Sequence, residues 1–172
     1  MFVRVFRAGL VVSALLLLAA CQRAEPRTFV ALERDFQGFR AWAGGSFEEK
    51  PARGQTHYAG EQGYFIRGPE RRAKEFPVGT MIVKQARLPS RPEGQLFAMV
   101  KRGGEYNGKG ARGWEWFELA LREDQTVAIK WRGLNAPSGE GYGSDPHGSC
   151  NSCHLEAKSN DFVKSGVLAL SP

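Results

Sequence analysis

Residues Trp114 to Trp131, WEWFELALREDQTVAIKW, indicate the type of sheet, because two mainly apolar runs flank a short polar connection. The runs Trp114–Leu121 and Thr126–Trp131 have the length and composition of strands. The connection, Arg122 to Gln125, is too short for the helical crossover that parallel strands require. The short connection therefore predicts an antiparallel sheet.

Working outward, the same kind of short apolar run recurs between Gly and Pro residues. The further strand candidates are Tyr64–Ile66, Thr80–Ala86 and Leu96–Lys101. The apolar residues of the preceding segment recur at helical spacing: Phe29, Leu32, Phe36, Phe39 and Trp42. This spacing predicts a helix over residues 28–42 that ends at Gly44-Gly45. The expected fold class is mainly β or α+β, with an antiparallel sheet and an N-terminal helix.

The composition indicates one globular domain. The 172 residues are 42% hydrophobic and 24% charged, which excludes a disordered chain. The net charge of +6 is modest and the basic residues are scattered, so we expect no nucleic-acid partner.

The N-terminus has the features of an export signal. Arg4 and Arg7 precede the uncharged run Ala8–Ala20, which is too short for a comfortable transmembrane helix. The run ends Leu-Ala-Ala before Cys21, as in a bacterial lipobox; the alternative is an ordinary signal peptide that happens to precede a cysteine. We predict a lipoprotein signal peptide over residues 1–20, lipidation of Cys21, a tether over residues 21–27 and a folded domain over residues 28–172. By resemblance to other lipoproteins, Gln22 after the cysteine favours the periplasmic side of the outer membrane.

The motif Cys150-Asn151-Ser152-Cys153-His154 has the CxxCH spacing of covalent haem attachment. On a helical turn, Cys150 and Cys153 lie on one side, where two thiols can add to the haem vinyls, and His154 follows as the proximal iron ligand. A redox CxxC would need a thioredoxin-like βαβ context, and a zinc site would need a fourth ligand. The sequence therefore predicts one covalent haem c bound by Cys150, Cys153 and His154, on a C-terminal haem segment.

The position of CxxCH limits the sixth iron ligand. The segment after His154 contains no Met, His or Cys, so a sixth ligand must come from upstream. The candidates are His57, Met81, Lys84, Met99 and His147. The alternative is an open, five-coordinate iron that can bind small molecules.

Two other patterns have simpler interpretations. Gly108 to Gly113 matches GxGxxG but lacks a Rossmann context, so we interpret it as a hairpin loop. Gly68-Pro69 could begin a short helix that extends to Lys74. Its basic residues would then form a solvated face, or a docking site for an acidic redox partner: Arg67, Arg71, Arg72 and Lys74.

Residues 30–165 resemble the cytochrome P-460 family, which includes the β-sheet cytochromes c′. The resemblance rests on the order of several stretches: Phe39 and Trp42, Phe76–Lys84, Met99–Lys101, Gly113-Trp114, Cys150–His154 and Asn160–Val163. It implies an exported haem protein with a mainly antiparallel sheet, usually a homodimer.

The resemblance also gives Lys84 a possible role. In family members that oxidise hydroxylamine, the lysine of a GT-x-x-VK pattern is bonded to a haem ring carbon, and Gly79, Thr80, Val83 and Lys84 match that pattern. Because side chains alternate along a strand, Lys84 would share a face with Thr80 and Ile82, opposite Met81 and Val83. Lys84 is therefore the candidate catalytic residue.

These features leave three functions in competition. The first is a redox enzyme that acts on hydroxylamine or nitric oxide; the second is a gas-binding haem protein; the third is an electron carrier with a six-coordinate haem. The stretch His57–Gly63 departs from the family pattern, so no distal residue is carried over from the resemblance. The expected partners are a small nitrogen-containing ligand, a periplasmic redox partner and the membrane, through the lipid anchor. A four-helix cytochrome c′ is disfavoured by the strand-like runs and frequent glycines.

Overall fold

The structure, a computed structural model, describes residues 28–49, 60–69, 74–88, 91–136 and 150–170. The predicted signal peptide, Cys21 and the tether lie outside the described residues, and so do His57 and His147. Within the described part of the chain, no helix is long and apolar enough to cross a membrane.

In the described residues, six antiparallel strands form one sheet in which each strand pairs with the next along the chain. The strands are β1 (Ala43–Glu49), β2 (Gly60–Arg67), β3 (Met81–Leu88), β4 (Arg91–Lys101), β5 (Trp114–Leu121) and β6 (Val127–Gly133). This topology confirms the antiparallel sheet. The prediction for β5 is right at both ends, and the other four predicted strands overlap β2, β3, β4 and β6.

The first strand, β1, was not predicted. Its sequence AGGSFEE has no apolar alternation, and Gly44-Gly45 is the expected stop signal of the preceding helix. In the sheet, a Cβ at Gly44 would collide with the Tyr64 carbonyl oxygen of β2. The glycines therefore allow a close approach of two strands. Glycine also ends helices, so the same residues can indicate either structure.

The predicted helix over residues 28–42 is wrong in extent. The segment forms one short helix, α1 (Glu33–Phe36), and a 3₁₀ turn at Phe39–Ala41, separated by Gly38 at φ 65°. The Gln37 side chain exchanges two hydrogen bonds with Val127, donating to the carbonyl at 2.9 Å and accepting from the N–H at 2.8 Å. These contacts cover part of the edge of β6. The helix ends at Gln37, whose ψ of 138° is not helical.

The sheet has a core on each face. One core packs Phe36 and Phe39 against residues of the sheet that include Met81 and Val83. On the other face, Ile82 belongs to a core that the C-terminal segment covers. That segment contains α2 (Cys150–Leu155) and 3₁₀ turns at Lys158–Asn160 and Gly166–Leu168.

Of the predicted basic helix face, only Arg67 and Lys74 lie within the described residues, and Arg67 is not on a helix. Arg67 lies in β2, where its guanidinium sits 4.6 Å from the centroid of the Trp42 ring and donates to the Asp35 carbonyl at 2.7 Å. Lys74 is exposed, and Arg71 and Arg72 lie outside the described residues. Arg67 therefore fastens α1 to the sheet through these two contacts.

Candidate functional site

The CxxCH motif forms α2, which lies against one face of the sheet. Cys150 is half-buried and Cys153 is exposed, and both are free thiols. Burial raises the pKa of Cys150 to about 11, so this side chain is a neutral thiol at physiological pH. The single helical turn places both thiols and His154 beside the same cavity.

This cavity, which we call the α2 cleft, opens between the sheet and the C-terminal segment. The cavity volume is about 160 Å³, and the cleft is partly open to solvent. The sheet contributes Tyr64, Ile82, Lys84, Phe97, Met99 and Trp116 to its lining; the C-terminal segment contributes Cys150, Cys153, His154, Val163 and Lys164. Its walls are mainly apolar, as in sites that bind organic groups.

The imidazole of His154 is held in one tautomer. Its Nδ1 lies 2.6 Å from the Phe162 carbonyl oxygen, and a carbonyl can only accept, so Nδ1 carries the hydrogen. Burial lowers the pKa of His154 to about 4, with smaller contributions in the same direction from Lys164 and Lys84. The ring is therefore neutral, with its lone pair on Nε2, which is the state in which histidine binds a metal.

Trp116 and Asn151 hold α2 on the sheet. The Trp116 ring packs against the His154 ring with centroids 4.5 Å apart, and its Nε1 donates to Asn151 Oδ1 at 3.1 Å. The same Oδ1 accepts from Asn107 Nδ2 at 2.6 Å and from the Ala111 N–H at 3.2 Å. Asn151, between the two cysteines, is thus the residue by which the sheet orients the motif.

The GxGxxG pattern contributes to the contact between α2 and the sheet. Residues 108–113 lie in the loop between β4 and β5, which confirms the prediction of a hairpin loop. A Cβ at Gly110 would lie 2.5 Å from both Asn107 Oδ1 and Asn151 Cγ. The glycine therefore leaves room for Asn151, and the pattern has a local packing role rather than a nucleotide-binding role.

We expect Gly110→Ala to destabilise the protein by about 1–3 kcal/mol, because the methyl group must displace Asn107 or Asn151. Gly166→Ala is the matched control, since a Cβ there meets nothing within 4 Å among the described residues. Thermal unfolding of both variants measures the difference. Equal stability of the two variants would contradict the packing role of Gly110.

Lys84 lies on the cleft side of β3, as strand alternation predicts. Lys84 and Ile82 line the α2 cleft, whereas Met81 and Val83 are buried in the opposite core. The Lys84 ammonium sits 5.4 Å from the centroid of the Phe47 ring. Of the other candidate iron ligands, Met99 lines the cleft, and the position of Met81 rules it out.

A second lysine, Lys164, lies beside the Cys153 thiol. Lys164 Nζ is 3.4 Å from Cys153 Sγ and donates to Glu156 Oε2 at 2.6 Å. Its Glu156 partner raises the pKa of Lys164, so the ammonium is charged at physiological pH. The cleft thus carries two lysines, Lys84 and Lys164, on otherwise apolar walls.

Reasoning from sequence missed the residues that support His154: Asn107, Gly110, Trp116, Asn151 and Phe162. Their sequence signals are weak, because Asn, Gly and Trp are common in loops and cores. Every residue has a backbone carbonyl, so a sequence does not show which carbonyl accepts a hydrogen bond. The position of Asn151 inside CxxCH was the one hint available.

The described residues contain no group of three or more His, Cys, Asp or Glu side chains arranged to hold a metal ion. A haem does not require such a group, since the porphyrin supplies the equatorial ligands of the iron. No family model matches the chain, and no curated protein and no solved structure matches it either.

Proposed function

We propose that the protein is an exported monohaem c-type cytochrome that binds a small nitrogen-containing ligand, or carries out redox chemistry on it, at an open haem iron. Hydroxylamine and nitric oxide are the ligands in question. The observation that carries the proposal is the convergence of Cys150, Cys153 and His154 with Lys84 on one apolar cleft.

The residues of the α2 cleft fit a covalent haem. Cys150 and Cys153 would hold it as thioethers, and His154 would bind the iron through Nε2, the ring nitrogen with the lone pair. Tyr64, Phe97 and Trp116 supply aromatic walls for a flat ring. When bound, the haem supplies an iron that can hold a small ligand and exchange electrons.

The chain's own residues then set the conditions of binding. The aromatic and aliphatic walls would favour small uncharged ligands, whereas Lys84 and Lys164 are the two basic side chains on them. Lys84 stands on the sheet side of the cleft, and the resemblance to the cytochrome P-460 family makes it the candidate for a bond to the haem ring. Such a bond forms only from the neutral amine, so Lys84 would have to lose its proton first.

Two alternative functions would use the same haem. A gas-binding protein would use the same open iron without turnover. An electron carrier would need a sixth ligand, and Met99 is the methionine that the structure brings to the α2 cleft.

The test is the spin state and its response to nitric oxide. We expect high-spin ferric and ferrous spectra that change when nitric oxide is added, because no strong protein ligand would oppose His154. The Met99→Leu variant, which conserves side-chain volume, should show the same spectra. The electron-carrier function would be established instead by a low-spin ferrous protein whose spectrum does not change with nitric oxide and becomes high-spin in Met99→Leu.

The cellular setting is part of the proposal. A lipid on Cys21 would hold the domain at the periplasmic side of the outer membrane, where a periplasmic redox partner would accept or supply electrons. A homodimer is the assembly that the family resemblance implies.

A further inference from the structure

We infer that the buried ion pair between Lys101 and Asp161 positions His154, by fixing the backbone turn whose Phe162 carbonyl accepts the His154 Nδ1 hydrogen. Both residues are positioning residues, since neither lines the α2 cleft. The inference rests on the proposed function in one respect: the group that His154 would bind is the haem iron.

The ion pair is short and shielded from solvent. Lys101 Nζ lies 2.6 Å from Asp161 Oδ1 and 2.8 Å from Oδ2, and the two side chains are 9% and 5% exposed. Lys101 stands at the end of β4, so the pair joins the sheet to the C-terminal segment across sixty residues of sequence. A buried charge without its partner is costly, so each residue holds the other in place.

Asp161 has further partners that restrict it. Its Oδ2 accepts from the Phe76 N–H at 2.9 Å, and its backbone carbonyl accepts from Trp114 Nε1 at 2.8 Å. The Gly113 position leaves room for the lysine, because a Cβ there would lie 3.2 Å from Lys101 Cε. Side chain and backbone of Asp161 are therefore both fixed.

The backbone at this point is unusual. Asp161 and Phe162 both have positive φ, 48° and 65°, in two consecutive residues that are not glycine. An aspartate tolerates this conformation, whereas a bulky phenylalanine adopts it only when its surroundings impose it. The turn aims the Phe162 carbonyl at His154 Nδ1, 2.6 Å away.

This hydrogen bond has a measurable effect on a metal-bound imidazole. An acceptor on Nδ1 makes Nε2 a more basic ligand, which stabilises the ferric over the ferrous state. Loosening the turn should therefore raise the reduction potential and lower the iron–histidine stretching frequency. A purely structural ion pair would change stability without moving either quantity.

The experiment compares Asp161→Asn and the double variant Lys101→Met/Asp161→Asn with wild type as haem-loaded full-length proteins. Asparagine keeps the size of the side chain, an acceptor for the Phe76 N–H and the tolerance of positive φ. The double variant also removes the unpaired buried ammonium, so we expect it to fold even where the single variant does not. We expect a more positive potential and a lower iron–histidine frequency in both.

The control is Val83→Ala, which destabilises the sheet from the core opposite the α2 cleft. Its potential and frequency should match wild type. The inference is overturned by wild-type values in both Asp161 variants, by an equal shift in Val83→Ala, or by failure of both Asp161 variants to fold.

A separate outcome distinguishes the proposed function from this inference. A wild-type chain without covalent haem would end the cytochrome proposal. The ring ¹⁵N signals of His154 in that same full chain would still test the positioning: wild type should hold the hydrogen on Nδ1, and the double variant should show a mixture of tautomers. Unchanged signals in the double variant would overturn the inference.

Discussion

One covalent haem should be found on the exported protein, and the variant Cys150→Ala/Cys153→Ala should carry none. The thioether bonds need both thiols, which stand on one side of α2 at the α2 cleft. The effect is all or none, because a haem without these bonds is lost when the protein is denatured. Mass spectrometry of the denatured protein and the pyridine haemochrome spectrum measure it.

Ser152→Ala is the matched control for this prediction. Ser152 lies on the same helix between the cysteines and is exposed, so its replacement should leave haem attachment at the wild-type level. A wild-type mass without the haem increment, or a haemochrome spectrum without a c-type band, would end the cytochrome proposal and with it the nitrogen-ligand chemistry.

The second large effect is expected at Lys84. A bond between its amine and the haem ring would perturb the porphyrin conjugation and strongly red-shift the reduced absorption band. In that case Lys84→Ala should restore an ordinary c-type spectrum. Absorption spectra of the reduced wild-type and variant proteins, with the mass of the haem-bearing peptide, measure the change.

Met81→Leu is the control for Lys84→Ala, because Met81 lies on the same strand and is buried in the opposite core. It should leave the haem spectrum unchanged. An ordinary c-type spectrum in wild type would remove most support for hydroxylamine oxidation and put gas binding first. A spectral change in Met81→Leu that equals the change in Lys84→Ala would overturn the assignment of Lys84 to the cleft face.

Much of the sheet could be read from local pattern. The runs around Trp114–Leu121 and Thr126–Trp131 alternate or are continuously apolar, and short polar turns separate them, so strand identity and antiparallel pairing follow. The opposite faces of Met81 and Lys84 follow from the two-residue period of a strand alone. These features depend on neighbours in sequence, which is why they were predictable.

Elements that depend on distant partners were mispredicted. The spacing of Phe29 to Trp42 suits a helix, but Gln37 bonds to Val127 and Gly38 takes a positive φ, so the helix breaks. β1 exists because Gly44 lets its backbone approach Tyr64, a contact that no local pattern encodes.

The same division holds for the candidate site. Residue type and short-range periodicity are enough to identify the CxxCH motif, the candidate ligand His154 and the strand position of Lys84. Long-range packing brings Asn151 to Asn107 and Trp116, and the Phe162 carbonyl to His154. It also paired Lys101 with Asp161, sixty residues apart. A hydrogen bond depends on where the folded chain brings its donor and acceptor, and that placement follows from the packing of the whole sheet.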